Sequence, residues 1–307
     1  MQAAHKVIYQ DGPWQHRKVV ASANAFHLVT IGNRTDPLIL LLHGFGQYWY
    51  TWREYLVPLS QAGYRVVAVD LRGYGDSDKP PRGYDPRSIS HDIAAIIRVL
   101  GESNAIVIGH DWGGFAAWAA AKNHPDLIDA IGVINAPHPD VLIDNFIKDK
   151  KTRSFFWLLT RMQLRTVAFR KLTNDDAELV EKWLSDWNNN QWPDPALARR
   201  YRLAFLNRVT PYSAIEYYRW AARSLLRIEG RRFYRQMRKS IKQDVLAIST
   251  LDNPLIEADL VQLSKKYVNA SFTYKQFAVG GHHVHERNPD AVLQTISFWL
   301  NSLRIKN

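Results

Sequence analysis

The residues best suited to chemistry lie at 107–114, where the chain reads V-I-G-H-D-W-G-G. The frame Gly-x-Asp-x-Gly around Asp111 matches the sharp strand-to-helix turn that raises a nucleophilic side chain, with aspartate in place of the usual serine. A carboxylate raised in this way can attack an electrophilic carbon and form an ester. Asp111 is therefore the candidate nucleophile, and a purely structural carboxylate is the weaker interpretation of this frame.

Hydrolysis of such an ester requires a water, a base that activates it and donors that stabilise the oxyanion. The segment G-G-H-H-V-H-E-R-N-P at 280–289 supplies His282 as the base. The segment V-L-A-I-S-T-L-D-N-P at 245–254 places Asp252 just after a buried strand. Backbone N–H donors would come from the loop that ends the run L-L-H-G-F-G at 41–46 and from Trp112. The sequence therefore predicts the order nucleophile, acid, base along the chain.

Short apolar or β-rich runs predict the strands that must position these residues. They fall at residues 26–31, 38–42, 66–69, 105–108, 130–134, 245–248 and 272–277. Helical patterns lie at 88–100, 112–123 and 291–303. Strands that are apolar throughout and alternate with helices are typical of a parallel sheet covered by helices. We therefore expect an α/β fold with a mostly parallel sheet.

Residues 140–243 differ in composition from the rest of the chain. They contain 22 Lys and Arg against 11 Asp and Glu, whereas the other residues contain 18 of each. The segment reads as helices rich in arginine and aromatic residues, interrupted by a turn-rich stretch at 188–195. We interpret it as a helical cap inserted into an α/β core of residues 1–139 and 244–307. Such a cap would cover the carboxyl edge of the sheet, where these folds place their sites.

The overall composition excludes several classes of protein. An apolar fraction of 46% and a charged fraction of 22% over 307 residues are those of an ordinary folded protein. The chain has no cysteine, so it can form neither a disulfide nor a thiolate metal site. No apolar run has the length of a membrane helix, and the first residues lack a secretory signal. These features favour a cytoplasmic protein.

Four motifs occur in an order that resembles the epoxide hydrolase branch of the α/β-hydrolase superfamily. They are H-G-F-G at 43–46, V-D-L-R-G-Y-G-D-S-D-K-P at 69–80, G-H-D-W-G-G at 109–114 and I-N-A-P-H-P at 134–139. Each motif is moderately specific, whereas their joint order and spacing are highly specific. The resemblance covers almost the whole chain and is weakest between residues 140 and 210.

The resemblance implies an α/β-hydrolase fold and a cofactor-independent hydrolysis of epoxides to vicinal diols. It implies Asp111 as the nucleophile, His282 as the base that activates water, and Asp252 as the acid that orients this base. The backbone amides of Phe45 and Trp112 would form the oxyanion hole. The electrophile implied is an sp³ carbon and not an acyl carbonyl.

Family members also use tyrosines of the cap to donate a hydrogen bond to the epoxide oxygen. The run E-Y-Y-R is similar to their N-W-Y-R motif, which maps Tyr218 onto one of these tyrosines. No clear match to the other is found, and Phe156 stands about where it is expected. Neighbours on a helix point about 100° apart, so at most one of Tyr217 and Tyr218 should face the same site. We assign Tyr218 as the donor, and Trp112, Phe156 and Tyr217 as substrate contacts.

Haloalkane and haloacid dehalogenases use the same nucleophile, base and acid, so dehalogenation is the second interpretation. Trp112 would hold a halide in such an enzyme, but Phe45 stands where haloalkane dehalogenases have an asparagine. Two positions also depart from the epoxide hydrolase pattern. Gly46 replaces a proline, and Ser249 replaces the glycine that precedes the acid.

A ligand-binding or lipid-surface protein on the same fold is a third interpretation. It would not need the complete set of nucleophile, base and acid. The net charge of +11 comes from the cap and favours a weak association with an anionic membrane surface. No motif supports nucleic-acid binding. His282, His283 and His285 lack the spacing of a metal site, so we expect a small apolar substrate and neither a metal nor a cofactor.

Overall fold

The buried runs of the sequence pair side by side in one sheet. The computed structural model describes residues 2–145, 148–207 and 209–304, without the side chains of residues 2, 3, 155, 156 and 304. Its eight strands are β1 (Gln15–Ala21), β2 (Asn24–Ile31), β3 (Leu38–Leu42), β4 (Arg65–Val69), β5 (Ala105–His110), β6 (Ile128–Ile134), β7 (Asp244–Thr250) and β8 (Phe272–Phe277). Their order across the sheet is β1-β2-β4-β3-β5-β6-β7-β8. Only the β1–β2 and β2–β4 pairings are antiparallel among these strands.

The central strands explain why the sheet needs helices on both faces. Every residue of β3, β4 and β5 is buried, and strands of this kind must be covered above and below. The helices of the described residues are α1 (Gln2–Ile8), α2 (Arg53–Gln61), α3 (Pro86–Val99), α4 (Trp112–Asn123), α5 (Pro139–Asn145), α6 (Lys150–Arg161), α7 (Arg165–Thr173), α8 (Glu178–Asp186), α9 (Pro195–Phe205), α10 (Thr210–Ser224), α11 (Ile228–Met237), α12 (Ala258–Leu263), α13 (Val284–Arg287) and α14 (Pro289–Arg304). Short 3-10 helices lie at Trp49–Trp52, Asn174–Ala177 and Ser264–Tyr267.

This architecture confirms the predicted fold class, a mostly parallel α/β sheet flanked by helices. Each predicted strand is present, and β3 and β8 have the predicted bounds. The elements that were not predicted include α1, α2 and β1 in the first half of the chain and α12 and α13 in the second. β1 reads Q-H-R-K-V-V-A and lies at the edge of the sheet, where charged residues are normal and the apolar signal is weak.

The helices from α5 to α11 lie between β6 and β7 along the chain. α10 contains 15 residues and packs against α6, α7 and α11. The ring of Phe169 on α7 stacks on Tyr212 of α10 with centroids 4.0 Å apart. These helices fall in the segment where the sequence predicts an insertion. The division into a core and a separate cap domain remains a prediction.

Because β3, β5, β7 and β8 are parallel, their carboxyl ends meet at one edge of the sheet. The loop at 43–46 follows β3, and Asp111 follows β5. Asp252 comes just after β7, and His282 comes after β8. Ligands of open α/β sheets bind at this edge, so it carries the candidate site.

Candidate active site

Asp111 lies at the tip of the turn between β5 and α4. Its backbone has φ 50° and ψ −118°, a strained conformation that costs a non-glycine residue roughly 1–3 kcal/mol. Glycine at position 44 allows the loop after β3 to come close. A Cβ there would lie 2.8 Å from the Cβ of Asp111 and 2.9 Å from its Oδ2. The turn therefore holds the Asp111 carboxylate directly against this loop.

The two carboxylate oxygens of Asp111 have different surroundings. The backbone N–H of Phe45 donates to Oδ2 at 2.9 Å. Oδ1 lies 3.7 Å from Nε2 of His282, which is too long for a good hydrogen bond. Burial alone would raise the pKa of this carboxyl, but His282, His110 and the Phe45 amide hold it below its ordinary value. Asp111 is thus an ionised carboxylate with one oxygen held and the other available.

His282 is almost completely buried on the turn after β8. Its backbone N–H donates to the carbonyl of Trp187 at 2.9 Å. Its own carbonyl lies 2.9 Å from the His110 ring nitrogen Nε2 and accepts from Asn135 Nδ2 at 2.8 Å. Nε2 of His282 has no hydrogen-bond partner among the described residues. The imidazole therefore faces Asp111 with a free nitrogen, as a base for a water between the two groups requires.

The predicted contact between Asp252 and the His282 ring is not found among the described residues. The Asp252 oxygens instead accept the backbone N–H groups of Gly280 at 3.1 Å and Gly281 at 2.8 Å. The next residue turns inward: Asn253 is 1% exposed, and its Nδ2 lies 3.3 Å from Nδ1 of His282. The sequence pattern predicts where β7 ends. It does not predict which of the two consecutive polar residues, Asp252 or Asn253, faces the site. Asp252 holds the backbone before His282, and its role as the acid remains a prediction.

The loop after β3 has a backbone conformation that a proline at position 46 would prevent. Gly46, at the position where the resemblance predicts proline, has φ 73°, whereas proline is restricted to about −65°. The loop is held instead by Gln47, whose Oε1 accepts the N–H of Gly44 at 3.2 Å. The Phe45 N–H still reaches Asp111, as the oxyanion assignment requires. The assignment of the second donor, the Trp112 amide, remains a prediction.

A buried network that sequence reasoning missed supports this loop. Glu286 accepts hydrogen bonds from Gln47 at 2.7 Å, from Arg53 at 2.7 Å and from Tyr201 of α9 at 2.6 Å. Gln47 Oε1 in turn lies 3.1 Å from Nδ1 of His110. Burial raises the pKa of the Glu286 carboxyl, and Arg53 opposes this effect without cancelling it. The network links α9 to the oxyanion loop, and the polar run H-H-V-H-E-R was its only signal in the sequence.

Aromatic rings from the helical segment cover Asp111. The ring of Phe45, whose N–H binds Asp111, lies 5.2–5.7 Å from the rings of Trp183, Trp187, Phe205 and Tyr218. Trp183 lies on α8 and Trp187 directly follows this helix, whereas Phe205 lies on α9 and Tyr218 on α10. The loop that holds the carboxylate is therefore lined by aromatic rings on one side, as in sites that bind apolar small molecules.

Tyr218 is the residue of this aromatic wall that can donate a proton. It is 1% exposed, and its ring meets that of Trp112 edge-on at 5.4 Å. Burial, and then the nearby Asp111 carboxylate, raise the pKa of the phenol well above its ordinary value, so it stays protonated. Nε1 of Trp112 is also buried and has no hydrogen-bond acceptor among the described residues. Two side chains with N–H or O–H groups thus lie beside the nucleophile.

Tyr217 is directed elsewhere. Its hydroxyl donates to the backbone carbonyl of Arg72 at 2.9 Å, and its ring packs against Tyr84 and Trp112. The hydroxyl therefore ties α10 to the core, and the predicted substrate contact could involve only the ring. The side chain of Phe156 lies outside the described residues, so its predicted role also remains untested.

The described part of the chain contains no group of three or more His, Asp or Glu arranged to hold a metal ion. The histidines of the 282–285 segment are instead engaged with protein groups: His283 Nδ1 lies 2.7 Å from Asn188, and His285 Nε2 lies 2.7 Å from Thr51. Across the same residues, no helix has both the length and the apolar character that crossing a bilayer would require.

Known proteins with similar sequences and structures point to one family. The family model of the α/β-hydrolase fold matches residues 37–289. A protein named epoxide hydrolase 3 from Xenopus tropicalis is 31% identical over 282 residues, which cover 90% of this chain and 74% of that protein. Epoxide hydrolase 4 from Mus musculus is 44% identical over 133 residues, which cover 43% of this chain and 37% of that protein.

The solved structure of an epoxide hydrolase from an endophytic Streptomyces has a TM-score of 0.78 and 27% identity, and covers 96% of this chain and 97% of that one. The match to the family model spans most of the chain, and the Xenopus relative aligns along most of both sequences. The chain therefore belongs to the α/β-hydrolase family, and within it to the epoxide hydrolases.

Proposed function

We propose that this protein converts epoxides of apolar small molecules to vicinal diols through an ester formed on Asp111. The geometry of Asp111 is the observation that carries the proposal. Its Oδ2 is held by the Phe45 amide, and its Oδ1 lies 3.7 Å from Nε2 of His282. The names of the relatives from Xenopus and Streptomyces support the substrate class.

In the first step, Oδ1 of Asp111 attacks one epoxide carbon. The C–O bond of the ring breaks, and its electron pair moves to the oxygen, which takes the proton of the Tyr218 hydroxyl. The products are an alkyl ester on Asp111, a free hydroxyl on the neighbouring carbon and a phenolate. A donor in this position stabilises the developing charge by about 3 kcal/mol, and the raised pKa of Tyr218 ensures that the proton is present beforehand.

In the second step, Nε2 of His282 takes a proton from a water that attacks the ester carbonyl of Asp111. The oxyanion formed on that carbonyl is stabilised by the N–H groups of Phe45 and Trp112. Its collapse releases the second alkoxide, which takes the remaining proton of the water to complete the diol. The proton on His282 returns to the Tyr218 phenolate, so the enzyme regains its starting state and one water is consumed.

The residues around His282 would control this second step. Asn253 lies 3.3 Å from Nδ1, and Asp252 binds the backbone of the two preceding glycines. We propose that Asp252 supports hydrolysis by fixing this loop and by its negative charge. The carbonyl of Trp187, which accepts the His282 N–H, connects the same loop to the helical segment.

We also propose that residues 140–243 form a cap over a core of residues 1–139 and 244–307. The aromatic rings packed around Phe45 support this division, because three of them come from α8, α9 and α10. The substrate would lie between these rings and Asp111. The ring of Trp112, and those of Tyr217 and Phe156 as predicted from the sequence, would complete its apolar surroundings.

Dehalogenation is the second candidate function. The buried Nε1 of Trp112 has no acceptor among the described residues, and an N–H of this kind beside the nucleophile can hold a halide. The Phe45 side chain offers no second donor for it. We therefore rank halide displacement second to epoxide opening as the function of this protein.

The partner that we propose is a small apolar epoxide. A cytoplasmic location and the lack of a nucleic-acid partner remain predictions of the sequence. So does the weak association with an anionic membrane surface.

The test compares epoxides with haloalkanes of the same carbon skeleton, both aryl and aliphatic. Purified protein is incubated with each compound, and diol formation and halide release are measured separately. We expect diol formation that disappears in Asp111→Asn. Halide release without diol formation would replace the proposed function with dehalogenation, and neither product across the panel would favour a binding protein.

A further inference from the structure

The turn between α10 and α11 exposes apolar side chains. Leu225, Leu226 and Ile228 are 37%, 82% and 60% exposed. They fall within four consecutive positions, and the residue between them, Arg227, is exposed as well. Single exposed apolar residues are ordinary, but a group at the tip of one turn forms a patch that marks a possible interaction site.

Unpaired arginines surround this patch. Arg227, Arg231, Arg232 and Arg235 are exposed, and none of them forms an ion pair with a described residue. A hollow of about 340 Å³ is lined by Ile228 and by the last three of these arginines. Guanidinium groups bind phosphate oxygens through paired hydrogen bonds, so this hollow suits a phosphate group next to an apolar surface.

We propose that the α10–α11 turn docks on a membrane surface that contains anionic phospholipid. Leu226 and Ile228 would enter the boundary between headgroups and acyl chains, and the arginines would bind lipid phosphates. Protruding aliphatic side chains next to a cationic face are typical of proteins that lie on bilayers. Glu229 is the only acidic residue between positions 225 and 239, so the surface repels cationic partners and complements an anionic bilayer.

The position of the α10–α11 turn connects membrane docking with the candidate active site. Tyr218 and Ser224 lie on the same helix, six residues apart, so about 9 Å of helix separates the proposed proton donor from the end of α10. A docked protein would therefore hold its aromatic wall close to a phase in which apolar epoxides dissolve. The docking itself does not depend on the proposed reaction.

Sedimentation with vesicles tests the proposal on the full chain. Vesicles of phosphatidylcholine alone are compared with vesicles that contain 30% phosphatidylserine, at low and at high salt. We expect binding to the acidic vesicles only, and a loss of at least about tenfold at high salt because the arginine contacts are screened. Inorganic phosphate and a soluble polyanion are added as competitors.

Two double variants separate the apolar and the charged contributions. Leu226→Ser with Ile228→Ser should weaken binding by about tenfold or more, because two aliphatic side chains no longer leave water. Arg231→Glu with Arg232→Glu should weaken it by about a hundredfold or more. The matched controls are Phe298→Ser, which changes a 75% exposed ring on α14, and Arg34→Glu with Arg82→Glu, which changes exposed charges elsewhere. Both controls should bind as the unmodified protein does.

Equal binding to neutral and acidic vesicles at low salt would overturn the proposal. So would unchanged binding of either double variant whose circular dichroism shows a native fold. Capture by the soluble polyanion that does not depend on Leu226 and Ile228 would indicate an acidic macromolecule in place of a membrane. Turnover of a water-soluble epoxide by the same variants is measured separately, so a failure of docking remains distinct from a failure of the proposed reaction.

Discussion

Two of the buried aspartate–histidine pairs among the described residues differ in almost every contact. In one pair, Nδ1 of His27 lies 2.7 Å from Oδ2 of Asp70, and neither side chain is exposed. The other Asp70 oxygen accepts the backbone N–H of Trp49 at 2.8 Å, and Oδ2 also accepts that of Asp76. In the candidate active site, Asp111 and His282 are 3.7 Å apart.

The charge state does not distinguish the two carboxylates. Burial alone would raise the pKa of both, but neighbouring imidazoles and backbone amides hold the pKa of Asp70 and that of Asp111 below the ordinary value. Both are therefore anionic near neutral pH. What differs is the number of donors: both oxygens of Asp70 are occupied, whereas Oδ1 of Asp111 faces only the more distant His282.

The comparison shows how the fold turns one carboxylate into a structural group and the other into a candidate nucleophile. Asp70 follows β4 and joins β2, the loop at Trp49 and the turn at Asp76. Asp111 sits on a strained turn that leaves 13% of its side chain exposed. An attacking oxygen must be free of donors, and only the second arrangement meets this condition.

Removal of each carboxylate should produce the largest and most different effects. Asp111→Asn should lower kcat/KM for an epoxide by at least about a thousandfold, because the nucleophile is lost, with little change in stability. Asp70→Asn should lower the free energy of unfolding by about 3–5 kcal/mol, because a buried pair loses one partner. Urea unfolding measures the free energy of unfolding of each variant, and kinetics on the folded fraction measure its kcat/KM. Equal loss of turnover in the two variants would contradict the distinction.

The free Oδ1 of Asp111 also predicts which tyrosine donates a proton to the epoxide oxygen. Tyr218→Phe should slow the formation of the ester by about a hundredfold, since the epoxide oxygen loses its proton donor. Tyr217→Phe is the matched control, because its hydroxyl binds the Arg72 carbonyl and its loss should mainly reduce stability. Rapid-mixing kinetics under single-turnover conditions separate ester formation from hydrolysis. If both variants form the ester at the unmodified rate, neither tyrosine is the donor.

The two polar residues after β7 should affect ester hydrolysis by smaller factors. Asp252→Asn should slow it by about tenfold, because the loop before His282 loses charged acceptors. Asn253→Ala should also slow it, because the His282 ring loses the side chain that lies 3.3 Å from its Nδ1 and helps to orient it. Rates of hydrolysis as a function of pH check both. An unchanged rate in Asp252→Asn would remove Asp252 from the mechanism.

The neutral imidazoles around His282 predict a smaller effect on stability. Burial lowers the pKa of His110 to about 3 and that of His283 well below its ordinary value. The unfolded chain therefore binds protons below about pH 6.5 while these groups stay neutral in the folded protein, so stability present above that pH is lost as the pH falls.

Urea unfolding between pH 7 and pH 5 measures this dependence. The free energy of unfolding should fall by up to about 1.4 kcal/mol per pH unit for each such histidine once the pH is below 6.5. His283→Gln should reduce the slope by one proton. An unchanged slope in this variant would show that the folded protein does not keep the His283 imidazole neutral.

The sequence predicts the sheet well because its central strands are buried on both faces and carry almost no polar residue. β3 and β8 have the predicted bounds, and α4 begins at Trp112 directly after the turn. β1 escaped prediction because an edge strand of the sequence Q-H-R-K-V-V-A needs no continuous apolar run. The basic, aromatic-rich segment shows helical periodicity, but periodicity alone does not tell which ring faces Asp111.

The sequence predicts those parts of the candidate site in which a motif determines the backbone conformation. It does not predict the parts that depend on the direction of a side chain. The Gly-x-Asp-x-Gly frame determines the turn at Asp111, and the structure places His282 beside it. The inward position of Asn253 and the outward position of Asp252 depend on one residue of a turn. The Glu286 network depends on contacts between residues that lie 85 to 239 positions apart, which no local pattern contains.

The mass of the His282→Gln variant after exposure to an epoxide substrate tests whether Asp111 forms the ester. Attack needs only the carboxylate of Asp111, whereas hydrolysis needs the base, so the variant should gain one substrate mass. Peptide mapping should place that mass on the fragment that contains Asp111, and His27→Gln should show no accumulation. A mass gain that persists in the Asp111→Ala, His282→Gln double variant, or that maps to another fragment, would show that Asp111 is not the nucleophile.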